Sequence, residues 1–178
     1  MPYLAAEIFY IMQIAPNKVV AITYTLKEEG ASEVIETVSA TDPFYFLFGA
    51  GNLLPAFEDA LSGLEVGNHF DFILPAENAY GLLDETAVVE LPISIFMIDG
   101  RFAEEYVIVG EMIQLQDNQG NPLMGKVLNR GLETVTIDFN HPMAGKNLHF
   151  VGAVQAIRDA SSEEMDHGHA HGPNTPHH

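Results

Sequence analysis

Three histidines near the C-terminus have the type and spacing that metal chemistry needs. His167, His169 and His171 alternate with small residues in the motif HGHAHG. Imidazole is a common ligand of divalent metals, and three rings within a few residues of chain can surround one borderline ion. A solvated polar tail is the alternative interpretation, and His177 with His178 can also be part of an expression tag. The motif predicts a metal site on the tail.

A second segment, residues 44–81, predicts a different kind of site. It reads FYFLFGAGNLLPAFEDALSGLEVGNHFDFILPAENAYG and is dominated by apolar side chains. No residue in it is a nucleophile with a base beside it, and the pocket that it offers has one tyrosine hydroxyl, that of Tyr80. Apolar residues at such spacings often form only a core, which is the alternative here. A pocket in this segment must act without a strong acid or base.

The elements that position these residues can be predicted from hydrophobic periodicity. Phe44, Phe46 and Phe48 share one face of a strand because side chains alternate with period two. Apolar positions within 53–64 fit one face of a helix, with Pro55 near its first turn. Alternating or apolar runs predict further strands in this half of the chain at 18–26, 33–39 and 69–74.

The hydrophobic pattern of the sequence changes after Gly81. Residues 82–92 read as irregular and 97–102 as a turn. Two strong turn signals, DNQGN and NRG, then separate three predicted strands, at 112–116, 122–128 and 132–139. A last strand is predicted at 148–158, and the polar residues 159–178 have no means of forming a core. This order predicts a β domain interrupted by a smaller inserted one.

Composition narrows the classes of function. Seven basic and 25 acidic residues give a formal net charge of −18, which repels phosphate backbones and anionic lipids, so neither nucleic acid nor membrane is an expected partner. The chain has no cysteine, which excludes disulfides and thiol catalysis. The N-terminal MPYLAAEIFYIM lacks a basic start, and no apolar run approaches the roughly 18 residues of a membrane span. We expect a cytoplasmic protein.

Four blocks in order resemble the SlyD-type FKBP peptidyl-prolyl isomerases. They are FYFLFGAGNLLPAFEDALSGLEVG, AENAYG, NHPMAGKNLHF and EEMDHGHAHG, and the resemblance runs from about Lys18 to His171. It implies a mainly β (α+β) fold, a half-open antiparallel sheet wrapped on a short helix with an inserted small β-rich domain. The implied domains are an isomerase domain at 13–84 plus 141–160, an insert-in-flap domain at 85–140 and a His-rich flexible tail at 161–178. The first eleven residues lie outside the resemblance, and we expect Met12 to be the natural initiator.

The resemblance also implies which residues line the isomerase pocket. Phe57 stands where many single-domain relatives carry Trp, and Ile35 and Glu36 stand where they often have Phe and Asp. These changes speak against tight binding of the family's macrolide inhibitors. The implied catalytic set is Tyr24, Ile35, Glu36, Phe44, Leu53, Leu54, Phe57, Tyr80 and Phe150.

Isomerisation of an X–Pro bond suits such a pocket because it breaks no covalent bond. The barrier of roughly 18–20 kcal/mol comes from amide resonance, and an apolar pocket disfavours the charge-separated planar amide relative to the twisted one. The backbone N–H of Leu54 is expected to receive the substrate carbonyl, and Tyr80 to donate a second hydrogen bond. Phe44, Phe57 and Phe150 are expected to wall the proline ring. No cofactor is expected for this step.

The resemblance implies two further activities. The insert of the family binds unfolded or extended proline-containing polypeptides, and methionines suit such a surface, although they can equally form the insert's small core. Four methionines lie in or beside the predicted insert: Met97, Met112, Met124 and Met143. Relatives bind nickel and zinc on the tail, which implies partners in metalloenzyme assembly. Two alternatives to an isomerase therefore stay open, a non-catalytic holdase and a nickel- or zinc-handling accessory protein.

Overall fold

The computed structural model describes residues 11–172, which divide into two compact units. The first unit runs to Ala79 and resumes at Lys146, and the second unit is Tyr80–Gly145. These bounds differ by about five residues from the division at 84/85 and 140/141 that the sequence predicts. Which bounds delimit an independently folding domain stays a prediction, and limited proteolysis tests it.

The first unit is built on an antiparallel sheet with two short helices. Its elements are β1 (Lys18–Glu28), β2 (Val34–Val38), β3 (Phe44–Leu47), α1 (Pro55–Leu61) and β4 (His69–Leu74), followed after the second unit by β11 (Leu148–Asp159) and α2 (Ser162–His167). β11 lies between β1 and β4, while β2 and β3 pair one after the other along the opposite edge of β1. The core of the unit includes Val20, Ile22, Leu61, Leu148 and Val154.

Gly152 allows β1 and β11 to approach closely at the centre of the sheet. A Cβ at this position would lie 1.9 Å from the carbonyl oxygen of Thr23 and 2.7 Å from the ring of Phe70. No side chain fits such a space, because real Cβ atoms do not come within 3.0 Å of a neighbour. Glycine therefore sets the spacing of the two strands that carry Tyr24 and Phe150.

The second unit has its own four-stranded sheet and its own core. Its strands are β5 (Val88–Pro92), β6 (Met97–Ile98), β7 (Arg101–Phe102), β8 (Met112–Gln116), β9 (Pro122–Arg130) and β10 (Thr134–Asp138). The sheet order is β5-β10-β9-β8, and β6 and β7 form a separate hairpin. The core contains Phe96, Val107, Val127, Val135 and Ile137. Both units are mainly β, as the sequence predicts.

Two elements differ from the sequence-based expectations. The expectation that residues 82–92 are irregular is wrong, because β5 occupies Val88–Pro92 and pairs with β10. The strand is hard to predict because the alternation of VVELP covers only five residues and ends in proline. Helix α2 lies within the tail for which no element was predicted. Its signal was present, since Ser161 and Glu164 form a capping box. Neither helix within residues 11–172 has the length and apolar character needed to cross a membrane.

Candidate functional site

Four of the predicted pocket residues meet as a cluster of rings in the first unit. Tyr24 on β1 contacts Phe150 on β11 and Phe44 on β3 edge to face, with ring centroids 5.6 and 6.4 Å apart. Phe57 on α1 meets Phe150 at 5.0 Å, also edge to face. Phe57 and Phe150 are buried while Tyr24 and Phe44 are half-buried, so the cluster has a closed floor and a partly open rim.

Two further rings support this floor and were not predicted as site residues. Phe72 on β4 is the register partner of Phe150 and lies 5.5 Å from its ring and 5.7 Å from that of Phe57. Phe46 on β3 contacts both Phe44 and Phe57. The signal for Phe72 is the alternation in HFDFIL, which gives Phe70 and Phe72 the same face, but a period alone does not show that this face borders a pocket.

The loop before α1 presents a backbone donor. Leu54 precedes the helix with φ of −57° and ψ of 129°, and Pro55 occupies the first helical turn without an N–H of its own. Within residues 11–172, no group accepts a hydrogen bond from the Leu54 N–H. The loop is fixed from the other side because the Gly49 N–H donates to the Glu58 carboxylate at 3.1 Å. Leu53 and Leu54 are both half-buried.

Ile35 and Glu36 lie on β2, which pairs with β1, the strand that carries Tyr24. The register between β1 and β2 shifts at this point, so that Leu26 pairs with Glu36 and Lys27 with Val34. Ile35 is thus the extra residue of a bulge, a feature that re-aims side chains. Ile35 is half-buried and Glu36 is exposed. Their predicted roles in the site stay predictions.

Tyr80 belongs to the second unit, where its ring stacks on the ring of His141. The two centroids are 4.1 Å apart and the planes differ by 1°. The Tyr80 side chain is 43% exposed, and its hydroxyl has no hydrogen-bond partner among the residues that the structure describes. A free, solvent-accessible hydroxyl is able to donate to a bound carbonyl.

The histidine motif of the tail forms a cluster at the end of α2. His167 is the last helical residue, and Gly168 follows in the left-handed conformation with φ of 70°. One ligand atom from each of His167, His169 and His171 lies within 4.8 Å of the others. The three ring centroids are 5.3 to 5.8 Å apart. Three imidazoles at this spacing fit a borderline divalent ion. His177 and His178 lie outside the described residues.

A buried carboxylate holds this cluster against the sheet. Glu164 of α2 is 2% exposed and receives both terminal nitrogens of Arg158 on β11, at 2.6 and 2.8 Å. The same carboxylate accepts the backbone N–H of Ser161 at 3.0 Å and that of His171 at 2.8 Å. Arg158 also donates to the carbonyl of His171 at 3.0 Å. We call these three residues, Arg158, Glu164 and His171, the tail clamp.

The electrostatics of the tail clamp follow from these bonds. The hydrogen bonds from Arg158 hold the pKa of the Glu164 carboxyl far below its usual value, more strongly than burial raises it. The same pair raises the pKa of the Arg158 guanidinium. Glu164 is therefore ionised and buried, and its carboxylate accepts hydrogen bonds from Arg158, Ser161 and His171.

Comparisons with known proteins agree with this architecture. Residues 12–95 match the model of the FKBP-type peptidyl-prolyl cis-trans isomerase family. The chain is 37% identical over 161 residues to the FKBP-type peptidyl-prolyl cis-trans isomerase SlyD of Aeromonas hydrophila, covering 90% of this chain and 72% of the relative. It is 38% identical over 162 residues to SlyD of Escherichia coli K12, covering 90% and 79%. The SlyD of Haemophilus influenzae is 33% identical over 161 residues, covering 90% and 81%. The chain belongs to the SlyD type of the FKBP-type peptidyl-prolyl cis-trans isomerase family.

Proposed function

We propose that the ring cluster of Tyr24, Phe44, Phe57 and Phe150 binds the proline of an X–Pro segment and accelerates rotation about its peptide bond. The observation that carries this proposal is the partly open rim of the cluster, at Tyr24 and Phe44, above the buried rings of Phe57 and Phe150. Such a box takes up an apolar ring and excludes water from the amide next to it.

The rate advantage comes from desolvation and from one or two fixed donors. In water, the planar amide is stabilised by solvation of its separated charges, and this stabilisation is lost in an apolar site. The Leu54 N–H, which has no acceptor among residues 11–172, fits the role of donor to the substrate carbonyl. Tyr80 remains the predicted second donor, and Ile35, Glu36 and Leu53 remain predicted lining residues. The step needs no acid, base or cofactor.

Isomerisation of a proline-containing tetrapeptide tests this proposal. Phe44→Ala opens the rim of the cluster while leaving the buried floor in place, so kcat/KM is expected to fall about tenfold, the effect of about 1.4 kcal/mol. Tyr45→Ala removes the neighbouring ring on the opposite face of β3 and is the matched control. A wild-type protein without activity would reject the enzymatic proposal in favour of a holdase, which delays aggregation but leaves proline-limited refolding at its spontaneous rate.

The second unit fits the role of a binding surface for unfolded or extended polypeptides. β8 is an edge strand, paired only with β9 within the described sheet. Beside it lies a hollow of about 390 Å³, lined in part by Ile95, Ile98, Tyr106 and Met112. These four side chains are 43–64% exposed, and the neighbouring Met97 is 41% exposed. An extended chain that adds to β8 gains backbone hydrogen bonds and places side chains in this hollow.

The methionines of the insert favour this role over a purely structural one. Met97, Met112 and Met124 are 41, 43 and 52% exposed, and Met143 is half-buried, whereas valine, isoleucine and phenylalanine fill the core of the unit. Exposed, adaptable apolar side chains beside a free strand edge suit clients of varied sequence.

Binding of a reduced, carboxymethylated unfolded protein tests the client surface. Ile98→Lys with Met112→Lys places two charges beside the hollow and is expected to weaken binding at least tenfold in fluorescence anisotropy. Leu132→Lys is the control, because Leu132 is 96% exposed and does not line the hollow. Equal affinities of the double variant and of the control would remove this surface from the proposal.

The histidine cluster supports a second candidate function, the binding of nickel or zinc for metalloenzyme assembly. The donor set fits, since three imidazoles with ligand atoms within 4.8 Å of one another match the preference of these ions for nitrogen. Calorimetric titration with nickel tests this: His169→Asn is expected to lose at least tenfold in affinity, and His69→Asn on β4 is the control. Unchanged affinity in His169→Asn would place the metal elsewhere.

We place these activities in the cytoplasm, following the expectation from the sequence. Cell fractionation with an antibody to the native protein is the test.

A further inference from the structure

His141, which has no role in the activities proposed above, makes two contacts within the second unit. Its ring is parallel to that of Tyr80 at 4.1 Å. Its Nδ1 accepts a hydrogen bond from the backbone N–H of Met143 at 3.0 Å.

The backbone around His141 is fixed in a turn. The Ala144 N–H donates to the His141 carbonyl at 2.8 Å, and the hydrogen bond from Met143 locks the ring to the same turn. The imidazole therefore has little freedom to rotate about its side-chain bonds. A ring held in this way offers a fixed face to any group that packs on it.

Further bonds tie the segment of His141 to the segment of Tyr80. The Gly145 N–H donates to the Gly81 carbonyl at 2.7 Å. Asn140 and Asp84 exchange two hydrogen bonds, one from each residue, at 2.9 and 3.0 Å. These bonds come from residues before and after His141 and hold its segment to the residues that follow Tyr80.

We propose that His141 is a positioning residue that fixes the Tyr80 ring and thereby the direction of its hydroxyl. This inference rests on the proposed function, in which Tyr80 donates a hydrogen bond to the substrate. Tyr80 is 43% exposed and its hydroxyl has no partner among residues 11–172, so the stack is the one ring contact there that restrains it. Without it, the hydroxyl samples several directions, and only a fraction of the molecules is ready to donate.

A set of variants of the full-length protein tests the inference. His141→Phe keeps a planar ring for the stack, whereas His141→Asn and His141→Ala remove it. On a proline tetrapeptide, kcat/KM is expected to fall about three- to tenfold in the last two and less than twofold in His141→Phe, in keeping with the strength of an aromatic pair. His69→Ala, at an exposed histidine of the first unit, is the control.

A double-variant cycle separates positioning from a general structural role. In a Tyr80→Leu background, adding His141→Ala is expected to cost nothing further, because His141 acts only through Tyr80. An additive loss would overturn the inference. Proton NMR gives a readout that needs no activity. The Tyr80 ring signals are expected to be shifted by the stacked aromatic ring, which is an imidazole in the wild type and a phenyl ring in His141→Phe, and to return to ordinary positions in His141→Ala.

The two readouts also distinguish the inference from the proposed function. Unshifted Tyr80 signals in the wild type would show that the stack does not restrain the ring, and the inference would fall alone. Shifted signals with full activity in both Tyr80→Leu and His141→Ala would show that Tyr80 is not a donor. The proposed role of Tyr80 would then fail, and the positioning role of His141 with it.

Discussion

Replacing Glu164 by glutamine is expected to release the tail while leaving the rest of the first unit folded. The carboxylate accepts four hydrogen bonds, two from Arg158 and one each from the backbone N–H groups of Ser161 and His171. A glutamine has one oxygen and places an NH₂ group against donors, so at least two of these bonds are lost. Hydrogen bonds to a charged group contribute about 1.5–3 kcal/mol each, so the docked tail loses about 3 kcal/mol or more.

The loss is local, because the tail clamp joins only the C-terminal segment to the end of β11. The C-terminal segment can detach while the sheet stays folded, so the free energy of this local opening is separate from the free energy of global unfolding. Glu164→Gln is therefore expected to remove the hydrogen-exchange protection of the amides from Met165 to His171 and to leave the urea midpoint almost unchanged. Glu163→Gln, at the exposed neighbouring acid of α2, is the control.

The metal affinity of the histidine cluster should follow the docked population. If the variant is docked only one time in ten to one in a hundred, and if nickel binds only to the docked form, its apparent dissociation constant for nickel is expected to rise about 10- to 100-fold. Calorimetry measures this value. Lost protection with unchanged nickel affinity would refute the reasoning, since the cluster would then not depend on the tail clamp. Retained protection would show that other contacts dock the tail.

Three further outcomes are expected. The pKa of Glu164 is lowered in the folded protein, so the stability that its carboxylate contributes is complete above its unfolded pKa of about 4.3 and is lost as the pH falls below that value. In metal-free protein, the hydrogen-exchange protection of α2 should therefore decline below that pH and not near neutrality. Gly152→Ala should lower the free energy of unfolding in urea by about 3 kcal/mol, because its Cβ overlaps the Thr23 carbonyl oxygen; an unchanged midpoint would contradict the spacing of β1 and β11. Phe72→Leu should reduce kcat/KM about threefold by loosening the support of Phe150, with thermal unfolding as the check that the fold is retained.

Local hydrophobic periodicity is enough to predict most strands and the first helix of the first unit. The alternation of Phe44, Phe46 and Phe48 and the helical spacing after Pro55 predict β3 and α1, because each depends on near neighbours in the chain. The same holds for the strands of the insert between DNQGN and NRG. β5 escaped prediction since five residues ending in proline leave too short a pattern. Helix α2 was predictable from Ser161 and Glu164, whose spacing is a capping box.

The site was predictable in part, for a physical reason. Rings on strands can be assigned to a face from the sequence, but which faces meet depends on register. Phe72 joins the cluster only because β4 pairs with β11 at Phe150. The stack of Tyr80 on His141 joins segments some sixty residues apart, and no local pattern encodes it. Arg158 and Glu164 are close in sequence, yet their pairing depends on how the chain turns after β11.

The hydrogen bond between Gly81 and Gly145 brings the two ends of the second unit side by side. A folded unit whose ends meet adds almost no closure entropy to the chain that carries it, because the host segment spans a gap no wider than a tight turn. For the rest of the chain, the closure entropy of this unit is therefore that of a short loop. We expect that the unit can be transplanted into a surface turn of an unrelated protein, and that a short glycine linker can replace it here.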